Sequence, residues 1–305
     1  MTSQLLRTDP GDTRRVDLPR IALTAAAPAV WGTTYLVTTE FLPAGHPLFA
    51  GLLRALPAGL IALAFTRTLP RGAWWGKAAA LGVLNIGIFL PLLFVAAQRL
   101  PGGVAATLGA GQPLVVAVLS VPLLRQRLSG WRLGWGVAGM AGVGLVVLGP
   151  AATFDGVGVA AGLGGAATMA LGVTLTKRWG RPEGVGPAAF AGWQLTAGGL
   201  FLLPLTALFE GAPPSIDGRA ALGYVWLGLI GGLLTYTLWF RGVTTLPVAS
   251  VAVLGLLSPL VAAVLGAAVL HQTLGVVQLA GFALALAALV AGQLPAPSVR
   301  KGQSR

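Results

Sequence analysis

The sequence lacks cysteine altogether and carries little charge. With no cysteine among its 305 residues, the chain forms no disulfide, performs no thiol chemistry and has no cysteine-ligated metal. Charged residues make up only 9% of the chain, whereas a soluble domain carries about a quarter. Hydrophobic residues account for 55%, and the mean hydropathy is +0.82. These values exclude an ordinary soluble protein and indicate a membrane protein.

Motifs of catalysis and of nucleotide hydrolysis are also missing. The sequence contains no HExxH motif, phosphate-binding loop, catalytic triad or metal-ligand cluster. We therefore predict that the chain is no enzyme, needs no cofactor or metal and does not itself hydrolyse ATP. The ten-residue segments of alternating hydrophobicity that build outer-membrane barrels are absent as well. The composition instead predicts an all-α membrane protein.

Ten apolar segments have the length of helices that cross a hydrocarbon core of about 30 Å. They cover residues 21–40, 47–66, 73–97, 101–123, 131–149, 157–177, 186–209, 220–240, 247–270 and 275–294. Residues 1–20 hold four arginines and three aspartates and predict a disordered cytoplasmic leader. A cleavable signal sequence is the alternative, but the apolar run that follows continues to full spanning length. Residues 295–305 are interpreted as a cytoplasmic tail.

The distribution of positive charge predicts the orientation in the membrane. With ten spans and the N-terminus inside, 17 of the 20 lysines and arginines fall on the cytoplasmic side. Only Arg99 and Arg219 fall outside, which is the asymmetry that the positive-inside rule requires. Both termini are therefore expected in the cytoplasm. The net charge of +12 lies in membrane-flanking loops, so it favours contact with anionic lipid over nucleic acid.

The sequence repeats itself. Residues 100–128 match residues 246–274 at 14 of 29 positions without a gap, at an offset of 146. Nearer the N-terminus the offset is 140, so that Gly32 corresponds to Gly172 and Pro47 corresponds to Pro187. The halves are residues 21–150 and 157–294, with five spans each. Because five is odd, the second half enters from the opposite side, which predicts an inverted repeat and alternating access. A duplication kept only for packing is the alternative.

Local motifs in both halves resemble the EamA branch of the drug/metabolite transporter superfamily. They are Trp31-Gly32, Pro47 with Leu53-Arg54, Pro113 followed by LRQRLSG, and the second-half counterparts Pro187, Pro259 and LHQTLG. The resemblance implies an inner-membrane carrier of a prokaryote that exports amino acids, metabolites or drugs. The chain departs from the family at Gln126 and Gln272, where members commonly carry glutamate. This departure weakens the transfer of a coupling role to these positions.

Arg54 is the one ionisable residue that lies clearly inside a predicted span. Charge inside a bilayer is costly, so Arg54 is a candidate for binding an anionic group of the substrate. A structural arginine that bonds to backbone carbonyl groups is the alternative. Its repeat partner is Gln194. Such a break in symmetry is what a site for an asymmetric molecule needs.

Aromatic and amide side chains complete the predicted substrate site. Trp31 and Tyr35 share a helix face with Thr38, because they follow i, i+4, i+7 spacing. The remaining candidates lie in other spans: Asn85, Trp193, Gln194, Tyr236 and Trp239. Packing or interface anchoring is the alternative for each aromatic residue. Together these side chains predict an amphipathic cavity.

Prolines and one acidic residue are candidates for motion and coupling. Pro113 and Pro259 lie mid-span at matched positions, where proline frees a carbonyl and bends a helix, so they are candidate gating hinges. Static bends are the alternative. Glu40 ends the first span and is the best candidate for proton coupling, with a solvated helix end as the alternative. Exchange or facilitated diffusion therefore stays open.

Three functions are compatible with these features. The first is a secondary transporter that exports a small amphipathic metabolite, amino acid or drug. The second is an importer or exchanger of an anionic metabolite, with Arg54 as counter-ion. The third is a membrane enzyme or non-transporting scaffold, although the spans lack convergent acid, base or metal groups. The sequence fixes neither the substrate nor the oligomeric state.

Overall fold

The computed structural model describes residues 18–100, 108–147, 155–213, 215–269 and 275–294. Within these ranges the secondary structure is helical and contains no strand. Ten helical segments follow one another in the described residues. They are α1 (Leu18–Phe41), α2 (Pro47–Thr66), α3 (Trp74–Arg99), α4 (Leu108–Leu124), α5 (Gly130–Val147), α6 (Gly156–Trp179), α7 (Pro187–Phe209), α8 (Gly218–Thr245), α9 (Val248–Val269) and α10 (Val276–Gln293).

Seven of these helices are long and apolar enough to cross a membrane: α1, α2, α3, α6, α7, α8 and α9. The apolar helices α4 and α10 are shorter. The spanning helices carry large exposed apolar side chains, such as Phe65 of α2, which is 85% exposed, and Phe209 of α7, which is 77% exposed. Exposed apolar surface of this extent fits a bilayer rather than water.

The helices agree with the predicted spans to within a few residues at most ends. Helix α1 begins at Leu18 and so includes the last three residues of the predicted leader. Residues 1–17 of that leader and the tail 295–305 lie outside the described residues. The same is true of residues 101–107, which open the predicted fourth span, and of Gln272.

Pairs of helices pack closely through small residues. Helix α2 packs along α7, and α5 packs along α10. A Cβ atom at Gly59 of α2 would clash with the backbone of Thr196, and one at Gly199 of α7 would lie 2.6 Å from the Cβ of Leu56. Both contacts therefore require glycine, which is the usual way for membrane helices to approach each other. Gly59 and Gly199 are repeat partners at the offset of 140.

Several helices are irregular near their middle. Helix α3 contains a π-helical segment, Val83–Ile88, and α8 contains another, Trp226–Leu234. Turns interrupt α1 at Gly32, α4 at Gly111 and α9 at Gly255–Leu256. π-Helical segments are rare and occur frequently at functional sites. The turns in α1, α4 and α9 lie at or beside residues that line a cavity, namely Trp31, Gln112 and Gly255.

Candidate functional site

A cavity of about 710 Å³ lies between α1, α3, α4, α6, α8 and α9. It includes Leu42–Ala44 in the loop after α1 and Gln98 near the end of α3, so it opens at this end of the bundle. We call this the open end, and it also contains Asp155 and Glu210 at helix termini. The opposite or closed end contains Thr68, Lys177 and Leu246. The cavity volume lies within the range of about 300–1,000 Å³ that is typical of ligand sites.

Aromatic side chains from α1 and α8 form the floor of the cavity. The ring centroid of Trp31 lies 5.1 Å from that of Tyr236 and 5.2 Å from that of Trp239. The indole Nε1 of Trp31 donates to the carbonyl oxygen of Gly231 at 3.0 Å and to Thr235 Oγ1 at 2.8 Å. These bonds fix the Trp31 ring at the inner boundary of the cavity.

Arg54 of α2 also borders the cavity and is only 2% exposed. Its Nη2 donates to the carbonyl oxygen of Gly231 at 2.9 Å, and its Nη1 donates to Thr34 Oγ1 at 3.3 Å. The acceptor carbonyl belongs to the π-helical segment of α8, where the regular α-helical pairing of backbone groups is disturbed. Both acceptors are neutral. Arg54 is the only charged side chain among the described residues that line the cavity.

Four side chains of the lining carry a buried polar atom without a hydrogen-bond partner in the described structure. These atoms are Thr38 Oγ1, Arg54 Nε, Gln112 Nε2 and Trp239 Nε1. The three nitrogen atoms are donors, so the protein presents N–H groups that a bound molecule is able to satisfy. A buried donor without an acceptor costs about 1–3 kcal/mol, which is unusual in a structural core.

Beneath the floor, aromatic rings that pack mainly edge to face fill the closed end. Phe240 lies 5.6 Å from Tyr236 and 6.1 Å from Phe190, between ring centroids. Phe190 in turn lies 6.2 Å from Trp193 and 5.9 Å from Trp74. We call these rings the aromatic column. Among the described residues, none that lines the cavity lies beyond this column at the closed end.

Lys177 ties two helices together at the closed end. Its Nζ, at the end of α6, donates to the carbonyl oxygens of Thr244 at 3.1 Å and Leu246 at 2.7 Å, where α8 ends. A cation at a helix C-terminus is favourable because the last carbonyl groups carry partial negative charge. The contact holds α6 against α8 below the aromatic column.

The family model for the EamA-like transporter family matches residues 19–148 and again residues 156–291. The chain belongs to the EamA-like transporter family. This transporter is therefore a multi-pass membrane protein and a member of the drug/metabolite transporter superfamily. Each of the two matches covers five of the helices described above.

Individual relatives agree with this assignment. Protein PecM of Dickeya dadantii (strain 3937) is 45% identical over 264 residues, which cover 87% of this transporter and 89% of PecM. A chloroplastic WAT1-related protein of Arabidopsis thaliana is 28% identical over 282 residues and matches over 67% of its own length. The uncharacterized inner membrane transporter YedA of Escherichia coli (strain K12) is 28% identical over 275 residues, or 86% of each chain. The family is one of transporters, not of enzymes.

A solved crystal structure has the same fold as this transporter. It superposes with a TM-score of 0.76 and covers 90% of this chain and 98% of its own. The sequence identity is 20%, so the comparison concerns the fold alone.

The structure brings five of the eight predicted substrate-binding residues to the cavity. Trp31, Tyr35, Arg54, Tyr236 and Trp239 all line it, and Thr38 lines it from the same face of α1 as Trp31 and Tyr35. Trp193 lies instead in the aromatic column, where its Nε1 donates to the carbonyl oxygen of Thr68 at 2.7 Å. Four of these five residues belong to α1 and α8, and Arg54 belongs to α2.

Asn85 and Gln194 form a separate buried cluster away from the cavity. The Nδ2 of Asn85 donates to Gln194 Oε1 at 2.8 Å and lies 3.4 Å from Thr176 Oγ1. Both amide side chains are 0% exposed. Asn85 belongs to the π-helical segment of α3, and Gln194 to α7. Their role in substrate binding stays a prediction.

The predicted hinges adjoin the interruptions of α4 and α9. Pro113 follows the turn at Gly111, and Pro259 follows the turn at Gly255–Leu256. Hydrogen bonds of the tighter i to i−3 type close both turns, as from Gly111 N to Leu108 O at 3.1 Å. Pro259 lines the cavity. A break beside each proline is what a hinge requires, although their movement stays a prediction.

Glu40 lies at the open end, outside the cavity lining. Its carboxylate is 3.6 Å from Arg219, and its side chain is 41% exposed. Arg99 makes a similar pair with Asp155 at 3.6 Å. The two arginines that the charge pattern assigns to the outside therefore both have acidic partners at this end. Proton coupling through Glu40 stays a prediction.

Sequence reasoning did not assign Thr34 or Gln112 to the substrate site. Thr34 accepts a hydrogen bond from Arg54, and Gln112 contributes an amide nitrogen without an acceptor to the lining. The position of Gln112, directly before a proline at a repeat-matched break, was the available signal. No sequence signal announced the π-helical segments, because a backbone register of this kind has no characteristic residue pattern.

Proposed function

We propose that this protein is a secondary transporter that works by alternating access and exports a small amphipathic metabolite, amino acid or drug. The observation that carries the proposal is the cavity of about 710 Å³, open at one end and sealed at the other by the aromatic column. A cavity accessible from one side only is one of the two states that alternating access requires. A channel would be continuous.

The proposal includes ten membrane spans in two inverted halves. Packing supports this arrangement, because corresponding helices pair across the halves: α2 with α7, and α5 with α10. Helix α3 packs on α6 as α8 packs on α1, and the π-helical segments occupy corresponding parts of α3 and α8. Two such halves exchange their conformations when the open and closed ends interchange.

We propose that both termini lie in the cytoplasm of a prokaryote and that the open end faces outward. In the loops at the closed end, basic residues outnumber acidic residues, as the positive-inside rule requires. At the open end the cations Arg99 and Arg219 have acidic partners. The description of YedA as an inner membrane transporter supports the same membrane. Anionic lipid is the expected partner of the basic loops.

Single-cysteine labelling tests alternating access, since the chain has no cysteine of its own. Thr38→Cys introduces a thiol into the cavity, and Phe240→Cys introduces one into the aromatic column. In right-side-out vesicles an impermeant maleimide should modify only Thr38→Cys. In inverted vesicles it should modify only Phe240→Cys, at a rate that rises when substrate is cycled. The unsubstituted protein is the control for both.

Two outcomes contradict the proposal. Modification of both thiols from the same side at once would indicate a channel. The absence of substrate-dependent flux in vesicles of either orientation, from folded protein, would exclude transport. The sign of the flux in these two vesicle preparations decides between export and import.

Import or exchange of an anionic metabolite is the second candidate. Arg54 favours it, because it is the only charged side chain of the described lining and has no acidic partner there. Arg54 does not determine the direction of transport, so for both candidates the question is whether the substrate is an anion.

A further inference from the structure

We propose that the cavity selects an amphipathic carboxylate: a molecule with a single anionic head, a flat apolar body and no ammonium group. This inference rests on the proposed transport function and names the substrate class of the same cavity. It applies whether the carrier exports or imports.

The charge of the cavity is the first argument. Arg54 is 2% exposed, and its acceptors in the protein, Gly231 O and Thr34 Oγ1, are both neutral. No aspartate or glutamate is present in the described lining. An isolated charge away from water is costly, and a carboxylate compensates it more completely than a neutral group does. One guanidinium matches one negative charge.

The unpartnered donors are the second argument. Arg54 Nε, Trp239 Nε1 and Gln112 Nε2 lack acceptors, and each of these nitrogens is only able to donate. Carboxylate oxygens accept hydrogen bonds without donating any, so they suit the guanidinium and indole donors that border the cavity. A second oxygen farther along the molecule is suited to Gln112 on the wall formed by α4. The ligand is therefore rich in oxygen acceptors and poor in donors.

The aromatic floor is the third argument. Trp31 lies 5.1 Å from Tyr236 and 5.2 Å from Trp239, and these rings offer flat apolar faces to a bound molecule. Such rings on their own also attract cations. Here the guanidinium of Arg54 shares the Gly231 carbonyl with Trp31, so an ammonium group would approach a like charge. Amino acids and cationic drugs are thereby disfavoured.

Four compounds with one carbon skeleton test the class. The probes are 3-phenylpropionate, 3-phenylpropionamide, phenylalanine and 3-phenylpropylamine, which present an anion, a neutral amide, a zwitterion and a cation. Calorimetric titration of the purified protein measures each affinity. We expect the carboxylate to bind at least about tenfold more tightly than the amide, which corresponds to about 1.4 kcal/mol. Phenylalanine and the amine should bind no better than the amide.

Variants assign the preference to the cavity. Arg54→Gln should reduce the affinity for 3-phenylpropionate to that for the amide. Gln112→Glu adds a carboxylate without removing a hydrogen bond of the described structure. It should lower the affinity for 3-phenylpropionate at least about tenfold and raise the affinity for the amine. This variant keeps the test valid if Arg54→Gln fails to fold. Gln126→Glu is the matched control, because Gln126 is exposed in the loop after α4 and should change neither affinity.

The outcomes separate this inference from the proposed function. Equal affinity for the acid and the amide, tighter binding of the amine, or no binding of any probe by folded protein would overturn the carboxylate class. Carboxylate-selective binding without flux in proteoliposomes would overturn transport and leave the class intact. Flux that does not depend on the charge of the probe would overturn the carboxylate class and leave the transport function intact.

Discussion

Two buried contacts occupy corresponding positions of the two sequence halves. One corner is formed by Arg54 and Gly231, and the other by Gln194 and Asn85. Arg54 corresponds to Gln194 at the offset of 140, and Gly231 corresponds to Asn85 at the offset of 146. In each corner a side chain of α2 or α7 meets a π-helical segment. The contact is 2.9 Å from Arg54 Nη2 to Gly231 O, and 2.8 Å from Asn85 Nδ2 to Gln194 Oε1. We call them the charged corner and the neutral corner.

The two corners differ in what they leave unsatisfied. In the neutral corner, two amides bond to each other and lie away from the cavity. In the charged corner, the long side chain of Arg54 reaches a glycine, borders the cavity and keeps Nε without an acceptor. The neutral corner leaves an acceptor, Asn85 Oδ1, inside a fully buried cluster, whereas the charged corner leaves a charged donor beside the cavity. We propose that the duplicated halves have divided structure and binding between them.

The largest effect is expected from Arg54→Gln, which gives the charged corner the residue of its repeat partner. Substrate affinity should fall about ten- to a hundredfold, because hydrogen bonds to a charged group contribute about 1.5–3 kcal/mol. The thermal unfolding temperature should stay near that of the wild type, since Gly231 O keeps its bonds from Trp31 and Thr235. Ligand titration and thermal unfolding of the same sample measure both quantities.

Arg241→Gln is the control, because Arg241 is exposed near the closed end. If Arg54→Gln unfolds the protein instead, Arg54 is a structural residue and the division between the corners is wrong.

The reciprocal change is Gln194→Met in the neutral corner. It keeps the shape of the side chain but removes the acceptor of Asn85, so the free energy of unfolding should fall by about 1–3 kcal/mol. Substrate affinity should stay within about twofold of the wild type, a difference well below the 1.4 kcal/mol that a tenfold change represents. A loss of affinity with unchanged stability would instead make Gln194 a binding residue.

A smaller effect is expected at the paired hinges. Pro113→Ala and Pro259→Ala each restore a backbone N–H that is able to bond within the helix, which straightens the break. Transport should slow several-fold while the equilibrium affinity is unchanged, as measured by initial flux and by ligand titration. Pro122→Ala is the matched control, because Pro122 lies in α4 beyond the break and its repeat partner is already Ala268. Equal slowing in the control would make the two breaks static.

The smallest effect is expected from Glu40→Gln. Glu40 pairs with Arg219 at the open end with 41% of its side chain exposed, and such surface pairs contribute about 0–1 kcal/mol. Flux and its dependence on a pH gradient should therefore change little. If the dependence on the pH gradient disappears, Glu40 is the coupling residue that the sequence suggested.

The positions of the helices along the chain were predictable from the sequence, but the direction in which each side chain points from its helix was predictable only in part. The helical spacing of Trp31, Tyr35 and Thr38 placed them on one face, and all three line the cavity. Trp193 follows the first residue of α7 by only six residues, and its indole donates to the Thr68 carbonyl at the closed end. Hydrophobicity alone does not distinguish a face that meets protein from one that meets a cavity when every face is apolar.

The acceptor of Arg54 was not predictable for a different reason. The alternatives for this residue were a substrate anion or backbone carbonyl groups, and the structure contains the second contact together with space for the first. The carbonyl is available at the π-helical segment of α8, whose sequence Trp226–Leu234 is apolar and unremarkable. Such a change of register depends on tertiary packing.

The bond from Lys177 to the end of α8 has a consequence for the empty carrier. The position corresponding to Lys177 in the first half is Val37, which has no side-chain donor. In the alternating-access cycle that we propose, closure of the open end would therefore lack this bond. Hydrogen bonds from a charged group contribute about 1.5–3 kcal/mol, so we expect the two resting states to be populated unequally. Without ligand, fewer than about one molecule in ten should expose its binding site at the closed end. We therefore expect Lys177, which has no counterpart in the first half, to determine which conformation the protein adopts without ligand.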